Sequence, residues 1–158
     1  MESLSVHSKE QYELVRESRM VLFAYCGTIL PTDFIKSNTA FGRGGSIRNL
    51  LVHIANTYEF WIGKLALKND IIFSQYEASN SIKEVVRLFD FIDGIMYEFI
   101  DDLDSEAEIE YEIDGLGSKT KPFRIFTHVI THEYHHKGQI LSLSRSLGYI
   151  PIDTDIMR

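Results

Sequence analysis

The sequence predicts an all-α fold: an antiparallel four-helix bundle with a short β-hairpin before the last helix. Three observations carry that prediction. Long segments repeat apolar residues at helical intervals. Capping residues, glycines and prolines punctuate those segments. One short stretch, "EIEYEID", changes to a period of two. Amphipathic helices bury their apolar stripes against one another, and bundle cores commonly house metal sites built from facing helices.

The first helix is predicted from about Ser8 to about Ile29. Ser8 and Gln11 have capping-box spacing, and Tyr12, Val15, Leu22 and Ile29 recur on the helical period. Pro31 then ends the segment. A glycine-broken loop, "TAFGRGGSIRN", leads to Ser46, the predicted N-cap of the second helix. Its stripe contains Ile47, Leu50, Leu51, Ile54, Tyr58, Trp61 and Leu65. "KNDIIFSQYEASN" is predicted as loop, and Ser81 with Glu84 as a capping box opening the third helix. In the strand, glutamates alternate with Ile109, Tyr111 and Ile113 before a turn at Gly115 and Gly117. Pro122 suits the first turn of the fourth helix, which runs to about Leu147 before Gly148 and Pro151. The tail is expected to be extended.

Length and composition bound the function. At 158 residues one domain is expected, large enough for a core without disulfides. The net charge of −7, with no basic block, argues against nucleic acid and against an anionic membrane surface. No apolar run approaches the ~20 residues that span a bilayer, and "MESLSVHSKEQYE" lacks signal-peptide character. A cytoplasmic location is expected. The single cysteine, Cys26, excludes an intrachain disulfide and a Cys-rich zinc site. It lies in an apolar run and is expected to be buried packing. The acidic run from Asp101 to Glu112 is expected to be a solvated loop and strand face.

"THVITHEYHHKGQ" holds four of the six histidines. On a helical wheel, Ile125, Val129, Ile140, Leu143 and Leu147 share one arc of about 60°. His136 falls within that arc and His132 about 20° beyond its edge. His128 and His135 flank it, Glu133 lies outside it on the other side, and Tyr134 points away. Two inward imidazoles one turn apart need partners, because an unmet buried donor or acceptor costs about 1–3 kcal/mol. A divalent metal satisfies both, and histidines at i and i+4 can ligate one ion. Of the remaining imidazoles, His7 precedes the first helix, so His53 on the second is the good third partner. Asp and Glu stay open as alternatives. Asn56 and Thr57, close to His53 along the helix, are expected to support it.

"HEYHH" also matches H-E-x-x-H, with Glu133 as the general base of a zinc metalloprotease. The context opposes that reading. The third ligand of such sites usually follows the motif, yet no His or Glu follows His136. No sheet is predicted to hold an extended peptide. Trp61, Tyr58, Phe60 and Phe99 are read as core aromatics, and "GRGG" around Arg43 is not a phosphate-binding fingerprint.

Three passages resemble the DinB superfamily, the DinB/YfiT-like metalloenzymes. They are "FGRGGSIRNLLVHIANTYEFW", "HVITHEYHHKGQILSLSRSLG" and "LGYIPIDTDI". In the second, two histidines one turn apart precede a basic residue, Gly and Gln: His132, His136, Lys137, Gly138 and Gln139. With the helix order and the late hairpin, the resemblance spans nearly the whole chain. It implies a four-helix bundle of DinB/YfiT type with a three-histidine divalent-metal site at His53, His132 and His136. It implies no ligand role for His128 or His135. Members with an activity include thiol-dependent transferases and an isomerase that uses a low-molecular-weight thiol.

Three neutral imidazoles leave an ion charged, with an open position. Zinc or nickel is the first expectation among divalent transition metals, since imidazole suits several. Expected partners are a small-molecule substrate and a low-molecular-weight thiol supplied from outside, since Cys26 is buried. The alternatives are a metal-dependent hydrolase and a non-enzymatic interaction protein whose ion fixes the fold. A homodimer through exposed apolar helix faces is compatible with the pattern.

Overall fold

The computed structural model describes residues 3–37, 40–41 and 45–158. Arg43 and its flanking glycines, 42 and 44, lie outside the described residues. The chain is mostly helical, with a two-stranded hairpin before the last helix. Its elements are α1 (Leu4–Cys26), α2 (Pro31–Phe34), α3 (Ile47–Tyr58), a π-helix (Glu59–Ala66), a 3₁₀ turn (Tyr76–Ala78), α4 (Ile82–Asp101), β1 (Ile109–Ile113), β2 (Leu116–Thr120) and α5 (Pro122–Ser146).

α1 starts one turn before the predicted Ser8. Ser3 is its N-cap, and Ser8 is buried within the helix. The proposed Ser8–Gln11 box is therefore wrong. What holds the true start is Asp104, from the acidic run read as merely solvated. Its carboxylate accepts from the Leu4 and Ser5 amides at 2.8 and 3.3 Å and from Ser5 Oγ at 2.6 Å. An anion at a helix N-terminus meets unsatisfied N–H groups and the positive end of the dipole. Pro31 does more than end α1, because it opens the short α2.

The other caps match expectation. Ser46 Oγ accepts from the Asn49 amide at 3.0 Å. Ser81 and Glu84 form a reciprocal capping box. Ile113 pairs with Leu116 across the turn, where Asp114 and Gly115 both have positive φ, 53° and 78°. That is the backbone of a type I′ turn, whose twist matches the strands it joins. Gly148, φ 94°, lies two residues past the end of α5. The Gly148 amide donates to Arg145 and that of Tyr149 to Ser144, which satisfies the last carbonyls.

α3 packs on α5 and α4, and α1 packs on α4 and α5. Tyr12 and Leu22 of α1, Leu50 and Ile54 of α3, Ile92 and Met96 of α4, and Val129 and Ile140 of α5 share one buried core. Each such side chain contributes about 1.5–3 kcal/mol by leaving water. Among the described residues, no helix is long and apolar enough to cross a membrane.

A polar seam crosses this core. Glu133 is buried, and both its oxygens are engaged: Oε1 accepts from Arg19 Nε at 2.9 Å, and Oε2 from Arg19 Nη2 at 3.0 Å and the Tyr58 hydroxyl at 2.7 Å. Arg19 also meets Asp93 at 2.6 Å, and Tyr12 donates to Asp93 at 2.7 Å. Beside it, buried Lys137 donates to Ser18 and sits 4.0 Å over the Tyr134 ring. The wheel left Glu133 and Tyr134 outside the apolar arc. It missed that α5 buries a second face, toward α1, because that face is polar.

Candidate metal centre

α3 presents His53 and α5 presents His132 and His136 to the same point. The ring centroids of His53 lie 5.0 Å from His132 and 4.7 Å from His136, and those of His132 and His136 lie 4.4 Å apart. One ring nitrogen from each lies within 4.8 Å of the other two. His136 is buried, and His53 and His132 are half-buried. The triad can hold a metal ion.

The hydrogen bonds orient the donors. His136 Nδ1 lies 2.7 Å from Gln139 Oε1, so Nδ1 donates and Nε2 keeps its lone pair. That Nε2 lies 3.1 Å from His132 Nε2. Two nitrogens bound to one tetrahedral ion, each at about 2.0–2.1 Å, are separated by roughly 3.3 Å. His132 Nδ1 is buried without a hydrogen-bond partner among the described residues. With hydrogen bonds alone, His132 meets a poor choice. A proton on Nε2 strands the Nδ1 lone pair, and a proton on Nδ1 sets two lone pairs face to face. A cation between the Nε2 atoms takes both lone pairs and removes their repulsion, so the donor set fits a metal, with the His132 Nδ1–H left without an acceptor among the described residues.

Electrostatics agree with that fit. Burial, followed by repulsion from His136, His53, His128 and His135, pushes His132 down to about 3. Neutral imidazole is the form that ligates. No carboxylate joins the cluster among the described residues. Glu133, the general base of the protease reading, has both carboxylate oxygens committed to Arg19 and Tyr58. The H-E-x-x-H match is therefore a coincidence of spacing.

The surroundings sort the remaining expectations. Thr57 Oγ1 donates to the His53 carbonyl at 3.1 Å and lies 3.4 Å from His132 Nε2. Thr57 thus lies against the triad, whereas Asn56 turns away from it. With its amide nitrogen turned inward, Asn56 donates to Glu59 at 2.9 Å and to the Ser74 carbonyl at 3.1 Å. His135 is exposed and meets the Gln139 amide nitrogen at 3.3 Å. His128 lines a cleft. His7, within α1, is not part of the cluster. Cys26 is buried, and burial pushes its thiol up to about 12, so it supplies no thiolate. Tyr58 and Phe99 are core residues, whereas Phe60 and Trp61 are half-buried.

Sequence reasoning named Gln139 only as part of a pattern. Its spacing of three from His136 was the signal for its role, since residues three apart are neighbours on a helix. A model of the DinB family matches residues 4–158. The chain belongs to the DinB family. It is also similar to the uncharacterized protein YizA of Bacillus subtilis (strain 168), with 25% identity over 142 residues, 85% of this chain and 84% of that protein. In this DinB-family chain the two inward histidines of the fourth-helix pattern and the His53 of α3 are the clustered ones.

Proposed function

We propose that His53, His132 and His136 bind one divalent transition metal, zinc or nickel first. We propose further that the chain is a metal-dependent enzyme of the low-molecular-weight-thiol transferase type. In this reading the long helices form an antiparallel bundle of one domain, with the metal between α3 and α5. The partners are a small electrophilic substrate, an external thiol and a second copy of the chain.

The observation that carries the reading is the donor set itself. Three neutral imidazoles converge with no carboxylate in the cluster among the described residues, so a dication there lacks its countercharge. A thiolate from outside supplies it. When bound, such an ion lowers the pKa of a thiol or water in its open position and polarises a carbonyl. The chain's own residues do the rest. Gln139 holds the His136 tautomer, Thr57 holds the α3 carbonyl beside His53, and burial keeps His132 neutral. The nearby cleft favours an enzyme over an ion that only fixes the fold.

Cobalt(II)-substituted protein tests this. Adding free cysteine is expected to produce a thiolate-to-cobalt charge-transfer band, absent in His132→Ala. Metal-dependent loss of an electrophile such as 1-chloro-2,4-dinitrobenzene is expected alongside it. A cobalt spectrum that ignores thiol would remove the transferase reading and leave hydrolysis.

A further inference from the structure

Beside the triad lies a cleft of about 190 Å³, lined by Trp61, Tyr111, Thr120, Arg124, Ile125 and His128. Four elements build it: the π-helix, both strands and the first turns of α5. Trp61 stands between two rings, 5.3 Å from Tyr111 and 5.1 Å from His128. His128 is 5.9 Å from His132. Arg124, His128, His132 and His136 follow one another at four-residue steps, so they form a line along one face of α5. The cleft therefore lies one helical turn from the triad along that face.

Its polar groups share one character. Thr120 is 9% exposed, and its hydroxyl is buried with no hydrogen-bond partner among the described residues. A buried hydroxyl in this state lacks an acceptor, and most native buried polar groups have a partner. The Arg124 side chain enters no ion pair among the described residues. A guanidinium and an unmet hydroxyl both suit an anion, and guanidinium matches a carboxylate in geometry. The flanking rings are flat, and the volume is below the ~300 Å³ of common ligand pockets, which suits a small planar molecule.

We propose that this cleft binds the carboxylate end of a small, flat carboxylic acid, held by Arg124 and Thr120 against Trp61 and Tyr111, with its other end directed at the triad. That the acid is the electrophilic substrate rests on the metal-enzyme reading; that it binds here does not.

Trp61 is the only tryptophan of the chain, so its fluorescence reports on the cleft. The test is a fluorescence titration with benzoate, and with neutral benzamide, on metal-free and zinc-treated protein whose zinc content is measured. A saturable change with benzoate is expected, weakened about tenfold or more for benzamide and in Arg124→Gln. Thr120→Val is expected to weaken it by about threefold to tenfold. Arg124 is exposed, so its replacement leaves folding intact, with circular dichroism as the check. Equal responses in wild type and Arg124→Gln, or no saturation up to about 50 mM, overturn the proposal. Benzoate binding without zinc uptake would remove the metal reading and keep the cleft. Zinc uptake without benzoate binding would do the reverse.

Discussion

Gln139, beside the histidine cluster, and Lys137, in the polar seam, show what single side chains contribute without joining the triad. Gln139 fixes which His136 nitrogen carries the proton, so Gln139→Leu is expected to lower metal affinity about 10–100-fold while the protein stays folded. A chelator competition assay measures it. Lys137 is buried, and that burial pushes it down to about 8 from an ordinary 10.5. Between those values the unfolded chain binds more protons than the folded one, so stability rises with pH. A gain on the order of 2 kcal/mol is expected between about pH 8 and 10, flattened in Lys137→Met. Urea melts across that range check it. Buried Tyr12 and Tyr58, whose hydroxyls are held well above their ordinary range chiefly by burial, oppose the trend above about pH 10. The histidines themselves were legible as residues: the wheel chose His132 and His136, His53 was the good imidazole candidate with Asp and Glu left open, and the family resemblance implied all three. The polar network around Glu133 was not, because an apolar stripe is the only thing that periodicity detects.

At the scale of elements, starts and stops were readable where chemistry is local. Ser46, the Ser81–Glu84 box, Pro122 and Gly148 each act on neighbours a few residues away. The start of α1 was not readable, since Asp104 holds it from about a hundred residues along the chain. Nor was the π-helix, whose register depends on the loop packed against it. Gly63 lies there so close to Ile71 that an added Cβ would meet its side chain at 2.8 Å. Glu59 pins the same loop, accepting from Ser74 N at 3.0 Å and Ser74 Oγ at 2.6 Å. Gly63→Ala is therefore expected to cost about 1–3 kcal/mol and to alter Trp61 fluorescence, because the π-helix carries that ring. Breaking the seam costs more. Glu133→Ala takes from buried Arg19 one of its two carboxylate partners and leaves Asp93 as the other, and is expected to cost about 3–5 kcal/mol, read by urea denaturation.

Across the whole molecule, the three clustered histidines come from two helices that are distant in sequence. A metal that binds only the folded chain stabilises it by mass action, about 2.7 kcal/mol at a free concentration a hundredfold above Kd. Zinc is thus expected to raise Tm by several degrees in the wild type and not in His53→Ala. The measurement that bears most directly on the central claim is metal per chain by elemental analysis. It compares the wild type with His53→Ala, His132→Ala and His136→Ala, and uses His135→Ala as control. The account expects near-stoichiometric metal in the wild type and the control and its loss in the three triad variants. Wild-type protein that carries none and takes up neither zinc nor nickel would contradict it.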